Sequence, residues 1–178
     1  EESSKDGTIF NANIPTEEVF SAPQYNGVNG VVHSTKPLIY HGNTISDFSF
    51  TFKDGKIVEY TAKEGYEVLK ELVETDEGSH YLGEVALVDH FSPISQSNQI
   101  FYETLFDENA SCHLAIGASY PTCLKNSDGL SEEELKDRGL NHSLTHVDFM
   151  IGHEHMNIKG YTRDGQAVDI MIDGRLQV

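Results

Sequence analysis

Alternating apolar and polar positions predict several short strands along the chain. In FSFTFKDGKIVEYTA, residues 48–62, two alternating runs flank an Asp-Gly pair. Asp-Gly supplies the positive φ angles that a two-residue hairpin turn needs, so this stretch predicts a hairpin. Two further Asp-Gly pairs predict two or three short antiparallel strands between Asn157 and Val178. The runs from Val28 to Ser34 and from Gly83 to Val88 indicate two more strands.

Three segments have the residue spacing of amphipathic helices. The first runs from Gly65 to Thr75 and the second from Ser97 to Phe106. The third, residues 130–139, opens with the capping-box pair Ser131 and Glu134 and closes on a glycine. Together with the hairpin turns, these helices predict an α+β domain with a mixed, mostly antiparallel, barrel-like sheet. We assign residues 1–12 to a linker or truncated connection and residues 13–178 to this domain.

The stretch HVDFMI carries the first candidate chemistry. Side chains alternate between the two faces of a strand, so His146 and Asp148 would share one face. The opposite face would carry only the apolar side chains of Val147, Phe149 and Ile151. An imidazole and a carboxylate that project together suit a divalent metal ion. By itself the pattern is weak evidence and favours a half-exposed strand whose polar face meets water.

A denser cluster of metal-binding residue types follows directly. His153, Glu154 and His155 come after Gly152, where the strand is expected to end. The HEH triplet also lacks the H-E-x-x-H spacing of zinc peptidases. We therefore interpret it as a polar turn near a rim, able to hold at most an adventitious ion.

Other carboxylates and imidazoles border apolar runs. Glu84 begins the otherwise apolar run GEVALV, where a carboxylate must be paired, metal-bound or at a surface edge. FDENASCHLAIG brings Glu108 and His113 to the start of a small, apolar run, and NIPTEEVF places Glu17 and Glu18 before an apolar pair. Each of these alone is expected to be structural or exposed. Because cations are scarce, the group as a whole has few salt-bridge partners.

Composition narrows the classes of partner and compartment. The 178 residues include 29 acidic and 12 basic side chains, for a formal net charge of −17, so nucleic acid and anionic membranes are poor partners. No apolar stretch reaches membrane-spanning length. Cys112 and Cys123 could form a disulfide, but two thiols do not make a stapled secreted scaffold, and we expect a reduced, cytoplasmic protein.

Several ordered motifs together identify a family resemblance. They extend from about Gly7 to the end of the chain and resemble the C-terminal half of the bacterial two-metal aminopeptidases: aminopeptidase T, aminopeptidase S and PepS. The motifs that carry the resemblance are PTEEVFSAP, STKPLIYHG, TDEG, LGEVALV, SPIS, FYETLFDENASCH, GASY and HVDFMIG. Because the family enzymes are more than twice this length, the chain is expected to be a C-terminal fragment that lacks the family's N-terminal α/β domain.

The resemblance implies a dinuclear site with two divalent ions per chain, zinc, cobalt or similar. Carried over by motif, it implies that Glu84 bridges the two ions and that Tyr120 binds a metal or stabilises the oxyanion. Glu17 is a further candidate, for proton transfer, although adjacent strand residues face opposite ways. The metal ligands that the resemblance implies are Glu18, Glu84, Glu108, His113, His146 and Asp148.

The expected function is removal of N-terminal residues from short peptides by a metal-bound hydroxide. The expected partner is a peptide with a free N-terminus, and the full-length protein is expected to be a homodimer. Two alternatives stay open: a metal-binding module without turnover, because the N-terminal domain is missing, and an acidic interaction domain without metal.

Overall fold

The computed structural model describes residues 2–3, 6–10 and 17–177, which form mainly short antiparallel strands. The strands are β1 (Glu2–Ser3), β2 (Ile9–Phe10), β3 (Glu18–Ser21), β4 (Gly30–His33), β5 (Leu38–Tyr40), β6 (Asn43–Ile45), β7 (Ser49–Lys53), β8 (Lys56–Thr61), β9 (Leu82–Val88), β10 (His113–Gly117), β11 (His146–Met150), β12 (Ile158–Tyr161), β13 (Ala167–Ile172) and β14 (Arg175–Leu176). The α-helices are α1 (Tyr66–Val73), α2 (Pro93–Gln96), α3 (Thr104–Asp107) and α4 (Glu132–Asp137). Short 3₁₀ turns cover Gly78–His80, Glu108–Ala110 and Pro121–Cys123.

Four strands form what we call the central sheet, in the order β11-β10-β9-β3. All three pairings are antiparallel. The side chains of β11 alternate as the sequence predicts: Phe149 is 1% exposed within the hydrophobic core, and Val147 and Ile151 pack against that core. The other face of the same strand is therefore free to carry polar groups.

A second sheet, in the order β4-β7-β8, lies across the core from the central sheet. The predicted hairpin of residues 48–62 is confirmed as β7 and β8. Its turn places Asp54 at φ 49° and Gly55 at φ 83°, the left-handed values that the Asp-Gly pair predicts. The buried side chains of the two sheets, of strands β5 and β6 and of helix α1 meet in one cluster: Leu38, Ile45, Phe48, Phe50, Phe52, Ile57, Leu69, Leu72, Val73, Leu82, Ile116 and Phe149.

Two of the three predicted helices are confirmed. Helix α1 buries Leu69, Leu72 and Val73 along the predicted stripe. Helix α4 begins with the predicted capping box, because the Ser131 hydroxyl accepts from the Glu134 N–H while the Glu134 carboxylate accepts from the Ser131 N–H.

The predicted helix from Ser97 to Phe106 is wrong for residues 97–103, and only residues 104–106 are helical, as the start of α3. Asn98 (φ 53°) and Tyr102 (φ 59°) adopt left-handed backbone conformations that a right-handed helix cannot contain. The Phe101 N–H also donates to the Asp107 carboxylate, at 2.8 Å, rather than to a carbonyl one turn back. A side-chain bond thus replaces the helical one.

The remaining strands complete an α+β fold. The predicted C-terminal strands are confirmed as the sheet β12-β13-β14, and β5 pairs with β6 in a small hairpin. The α+β class and the antiparallel strand pairing are confirmed, but the sheets formed by the described residues stay separate and do not close into a barrel. Within the predicted linker, β1 pairs with β2, while residues 1, 4, 5, 11 and 12 lie outside the described residues. In the described part of the chain, no helix combines the length and apolar character needed to cross a bilayer.

Candidate metal centre

One face of the central sheet gathers polar side chains from all four of its strands. Glu18 begins β3, Glu84 lies in β9, His113 begins β10, and His146 and Asp148 lie in β11. The strand register brings them together, since Ala115 in β10 pairs with Glu84 on one side and with Asp148 on the other. Four of these side chains are at least 90% buried: Glu18, Glu84, His113 and Asp148.

The imidazoles and carboxylates face one another at short, regular distances. His113 Nε2 lies 3.2 Å from a Glu18 oxygen and 3.5 Å from Oε1 of Glu84. His146 Nε2 lies 3.6 Å from Oε2 of Glu84 and 3.5 Å from Oδ1 of Asp148. The two oxygens of Glu84 therefore face two different imidazoles.

These distances fit a metal centre. Two donor atoms bound about 2.0–2.2 Å from a tetrahedral zinc ion lie about 3.3–3.6 Å apart, close to the spacings observed here. His113 Nε2 and Asp148 Oδ1 are buried, yet neither makes a hydrogen bond to any described residue. Buried polar atoms are normally satisfied, so atoms left without hydrogen bonds in a converging cluster are the expected donors to an ion. Three overlapping groups could each hold a metal: Glu18–Glu84–His113, Glu84–His146–Asp148 and Glu108–His113–Asp148.

The second ring nitrogen of each histidine is held by a backbone carbonyl. His113 Nδ1 lies 3.0 Å from the Ser111 oxygen, and His146 Nδ1 lies 2.7 Å from the Ala118 oxygen. A carbonyl oxygen can only accept, so in both rings Nδ1 carries the hydrogen and Nε2 faces the cluster. Outer-sphere bonds of this kind orient histidine ligands in metalloproteins.

Electrostatics in the metal-free cluster favour protonation. Burial raises the pKa of Glu108 to about 8, and the nearby carboxylates of Asp148 and Glu18 act in the same direction. Burial opposes charge on the two imidazoles, but their carboxylate neighbours outweigh it. The pKa of His113 rises to about 11 through Glu18 and Glu84, and that of His146 to about 9 through Asp148. Without a metal, protons supply the positive charge that the carboxylates require.

Tyr120 lies at the mouth of the site. Its ring centre is 4.9 Å from that of His146 and 6.2 Å from that of Phe20, and the side chain is 51% exposed. Burial and the surrounding carboxylates, Glu84 first among them, raise the pKa of the phenol, so it keeps its proton at neutral pH. A neutral phenol beside the cluster can donate a hydrogen bond into the cavity.

The structure does not bring every candidate residue into the site. Glu17 is absent from the cavity lining, and its backbone N–H donates to the Asn109 side chain at 2.8 Å. The HEH residues form an exposed polar turn in which His155 Nε2 lies 3.4 Å from Glu154, as the polar-turn interpretation expects.

Cys112 and Cys123 are not joined to each other, so the disulfide that their presence allowed is not formed. Cys112 is buried directly before β10, where its sulfur contacts the backbone of Val88 at 3.3 Å. Its burial raises the pKa of the thiol, which disfavours a thiolate nucleophile.

A cavity of about 580 Å³ opens over the cluster. Sequence reasoning missed most of its outer wall, which comes from the β5–β6 hairpin and the α3 region. The sequence feature that could have indicated this wall is the His-Gly pair after LIY, which is typical of a turn. His41 lies at the hairpin turn with φ 49°, and its ring stacks on that of Tyr40 at 4.1 Å. The wall residues missed are Phe20, Ile39, Tyr40, His41, Glu103, Thr104, Thr122 and Val147.

The fold and the site together define an antiparallel α+β domain with a buried carboxylate–imidazole centre that could hold metal ions. The sequence profile of the thermophilic metalloprotease (M29) family matches residues 1–176, and the chain belongs to that family. This confirms the family resemblance found in the motifs.

Named relatives agree with this membership. The chain is 61% identical over 168 residues to aminopeptidase AmpS of Bacillus subtilis and 58% identical over 171 residues to aminopeptidase 2 of Geobacillus stearothermophilus. These alignments cover 94% and 96% of this chain but 41% of each relative, so the chain spans about two fifths of their length. The solved structure of wild-type AmpT from Thermus thermophilus superposes with a TM-score of 0.88 at 43% identity, covering 99% of this chain and 43% of that one.

Proposed function

We propose that this domain is the catalytic part of a metal-dependent aminopeptidase that removes N-terminal residues from short peptides through a dinuclear site. The observation that carries the proposal is that the two carboxylate oxygens of Glu84 have different partners. One of its oxygens faces His113 and the other faces His146. A carboxylate with separate partners at each oxygen is suited to bridge two ions.

The ligand set follows from the three overlapping groups. Glu18 and His113 would hold one ion, His146 and Asp148 the other, and Glu84 both. Glu108 would complete the set, since its carboxylate groups with His113 and Asp148. Four carboxylates balance the charge of two divalent ions, and oxygen and imidazole donors suit zinc or cobalt. When bound, such ions supply Lewis acidity for a scissile carbonyl and lower the pKa of a water molecule.

The protein side chains would orient the substrate and stabilise developing charge. The protonated phenol of Tyr120 borders the cavity and would donate a hydrogen bond to the oxyanion. Carboxylates in the cavity wall, including the exposed Glu103, favour a substrate with a free ammonium terminus. Glu17 stays a candidate for proton transfer only if its side chain turns toward the cavity.

The setting proposed for the whole protein is a cytoplasmic homodimer. Two cysteines that form no disulfide support a reducing compartment. The C-terminal sheet supports a second subunit, because it leaves Tyr161, Val168 and Ile172 exposed. The formal charge of −17 supports neither nucleic acid nor an anionic membrane as a partner.

A second candidate is a metal-binding module without turnover. The chain spans about 41% of its relatives' length, and Tyr120 at the cavity mouth is 51% exposed. A substrate in such an open cavity would be held less firmly, and water would be excluded less completely.

The test combines metal analysis with a peptidase assay. We expect about two zinc or cobalt ions per chain by elemental analysis, and metal-restored release of p-nitroaniline from leucine p-nitroanilide. Glu84→Ala should lose both, whereas Glu59→Ala, an exposed glutamate on β8, should lose neither. Two ions without hydrolysis would favour the module, and no bound metal would overturn both candidates in favour of an acidic interaction domain.

A further inference from the structure

A buried asparagine links three separate segments behind the candidate metal centre. Asn141 is 5% exposed and lies between α4 and β11. Its Nδ2 donates to the carbonyl oxygens of Gly117, at 2.6 Å, and Gly78, at 2.8 Å. Its backbone N–H donates to the Ser119 hydroxyl at 3.1 Å, and its carbonyl accepts from the Ser119 N–H at 2.9 Å.

These bonds enclose the residue that orients His146. Asn141 binds Gly117 and Ser119, the two neighbours of Ala118, so the Ala118 peptide is fixed from both sides. The Ala118 carbonyl is the acceptor 2.7 Å from His146 Nδ1, and its N–H donates to the Thr145 carbonyl at 2.8 Å. The direction of the imidazole therefore depends on a segment that Asn141 holds.

The held segment has a conformation that needs external support. Gly117 has φ 106°, and a Cβ at that position would approach the Thr145 carbonyl oxygen to 2.1 Å. A glycine in this region gains little from its own backbone preference, because it loses much freedom on ordering. The segment continues through Ser119 into Tyr120, whose ring is 4.9 Å from that of His146. One side chain thus supports both a candidate ligand and a candidate oxyanion donor.

We propose that Asn141 is a positioning residue of the metal centre, which fixes the Ala118 carbonyl and so directs His146 Nε2 toward the ion. The inference rests on the proposed function, because it needs a metal at the cluster. Asn141 touches neither the ion nor the substrate and acts through the backbone of residues 117–119. Loss of the Asn141 side chain would alter the geometry of the metal site and weaken metal binding in a protein that is still folded.

The experiment measures cobalt binding by Asn141→Ala, Asn141→Asp and wild type at a temperature where circular dichroism shows each folded. The matched control is Asn29→Ala. Asn29 also joins two backbone segments, accepting from the Asp54 N–H at 2.8 Å and donating to the Gly27 carbonyl at 3.3 Å, but it is exposed and does not line the cavity. Asn141→Asp keeps the shape of the side chain but places a carboxylate oxygen, which cannot donate, opposite the Gly117 and Gly78 carbonyls, so it removes the two bonds without leaving a cavity.

We expect both Asn141 variants to bind cobalt about 10–100-fold more weakly, with an altered visible absorption spectrum. Asn29→Ala should keep the wild-type affinity and spectrum. A purely structural role would lower thermal stability and leave the spectrum of the bound cobalt unchanged, which would overturn the inference. If wild type binds cobalt but hydrolyses no peptide, the catalytic proposal fails and the positioning role stands. If wild type binds no cobalt, both fail.

Discussion

Glu84 and Asp148 face each other across one small residue, Ala115, which pairs with both through the central sheet. Ala115 is fully buried, and its methyl group occupies little of the space between the two carboxylates. The imidazole of His146 spans the gap, with Nε2 at 3.6 Å from Glu84 and 3.5 Å from Asp148. The centre therefore depends on a small side chain as much as on the charged ones.

Ala115→Val should fill this space and separate the carboxylates. Overpacking of this kind costs about 1–3 kcal/mol of unfolding free energy, and we expect the stabilisation by added zinc to disappear as well. Differential scanning fluorimetry with and without zinc measures both effects. Ala62→Val is the control, since Ala62 follows β8 and packs against the hydrophobic core rather than the metal centre. A zinc-induced shift of equal size in both variants would contradict the prediction.

In the THVDFMIGHEHM stretch, substitution of His146 should abolish stabilisation by metal, whereas substitution of His153 and His155 should not. With metal at about 100 times its dissociation constant, a bound site stabilises the fold by about 2.7 kcal/mol. His146→Ala should lose most of this stabilisation, because Nε2 faces two carboxylates of the cluster. The double variant His153→Ala/His155→Ala should retain it and change metal-free stability by less than about 0.5 kcal/mol, as expected for exposed positions. Chemical denaturation with and without metal tests the contrast.

Metal-free stability should fall as pH rises from about 4.5, the ordinary pKa of Glu108, to about 9, the folded pKa of His146. His146 has an ordinary pKa of 6.5 and a folded value of about 9, so its contribution is fully present below the first and lost as pH rises through the second. Glu108, raised from 4.5 to about 8, binds its proton more tightly in the folded state and changes stability in the same direction. Thermal melts in the presence of a chelator measure the fall, and Glu108→Gln should flatten its lower part.

Added metal should reverse this pH trend. Ligands must lose their protons to bind an ion, so apparent metal affinity should increase over the same range in which the metal-free protein weakens. Isothermal titration calorimetry in buffers of different ionisation enthalpy counts the protons released. Proton release near zero at neutral pH would contradict the raised pKa values of His113 and His146.

Tyr120→Phe should separate catalysis from metal binding. The proposed ion positions use only carboxylates and imidazoles, so metal content should stay at the wild-type value. If the hydroxyl donates to the oxyanion, kcat should fall about 10²–10³-fold with little change in KM. Tyr102→Phe, at a tyrosine that is 72% exposed, is the control. A proportional loss of metal in Tyr120→Phe would instead make the phenol a ligand.

Local sequence patterns predict those parts of the fold whose partners are close along the chain. The hairpin of β7 and β8 needs only alternation and an Asp-Gly turn, and the capping box of α4 spans four residues. The same alternation places His146 and Asp148 on one face, so part of the candidate site is readable from one strand. Glu18 and Glu108 carry no such local signal, and the family resemblance was needed to name them.

Contacts between distant residues account for what the sequence did not predict. The failed helix of residues 97–106 is broken by left-handed residues and by the bond from Phe101 to Asp107, which periodicity does not reveal. The bonds from Asn141 reach back 24 and 63 residues, to Gly117 and Gly78. Such a side chain looks like any loop asparagine until the chain has folded.

The central sheet uses one alternation for two purposes, since β11 turns Phe149 to the core and Asp148 to the centre. A slip of one residue between β10 and β11 would exchange the two faces of β11. Phe149 would then enter the cavity, and the Asp148 carboxylate would enter the hydrophobic core. Only the native register brings the metal-binding atoms together, so metal binding requires that β10 and β11 be aligned correctly to within one residue. The amount of metal bound during refolding would therefore measure how many molecules have formed the native sheet.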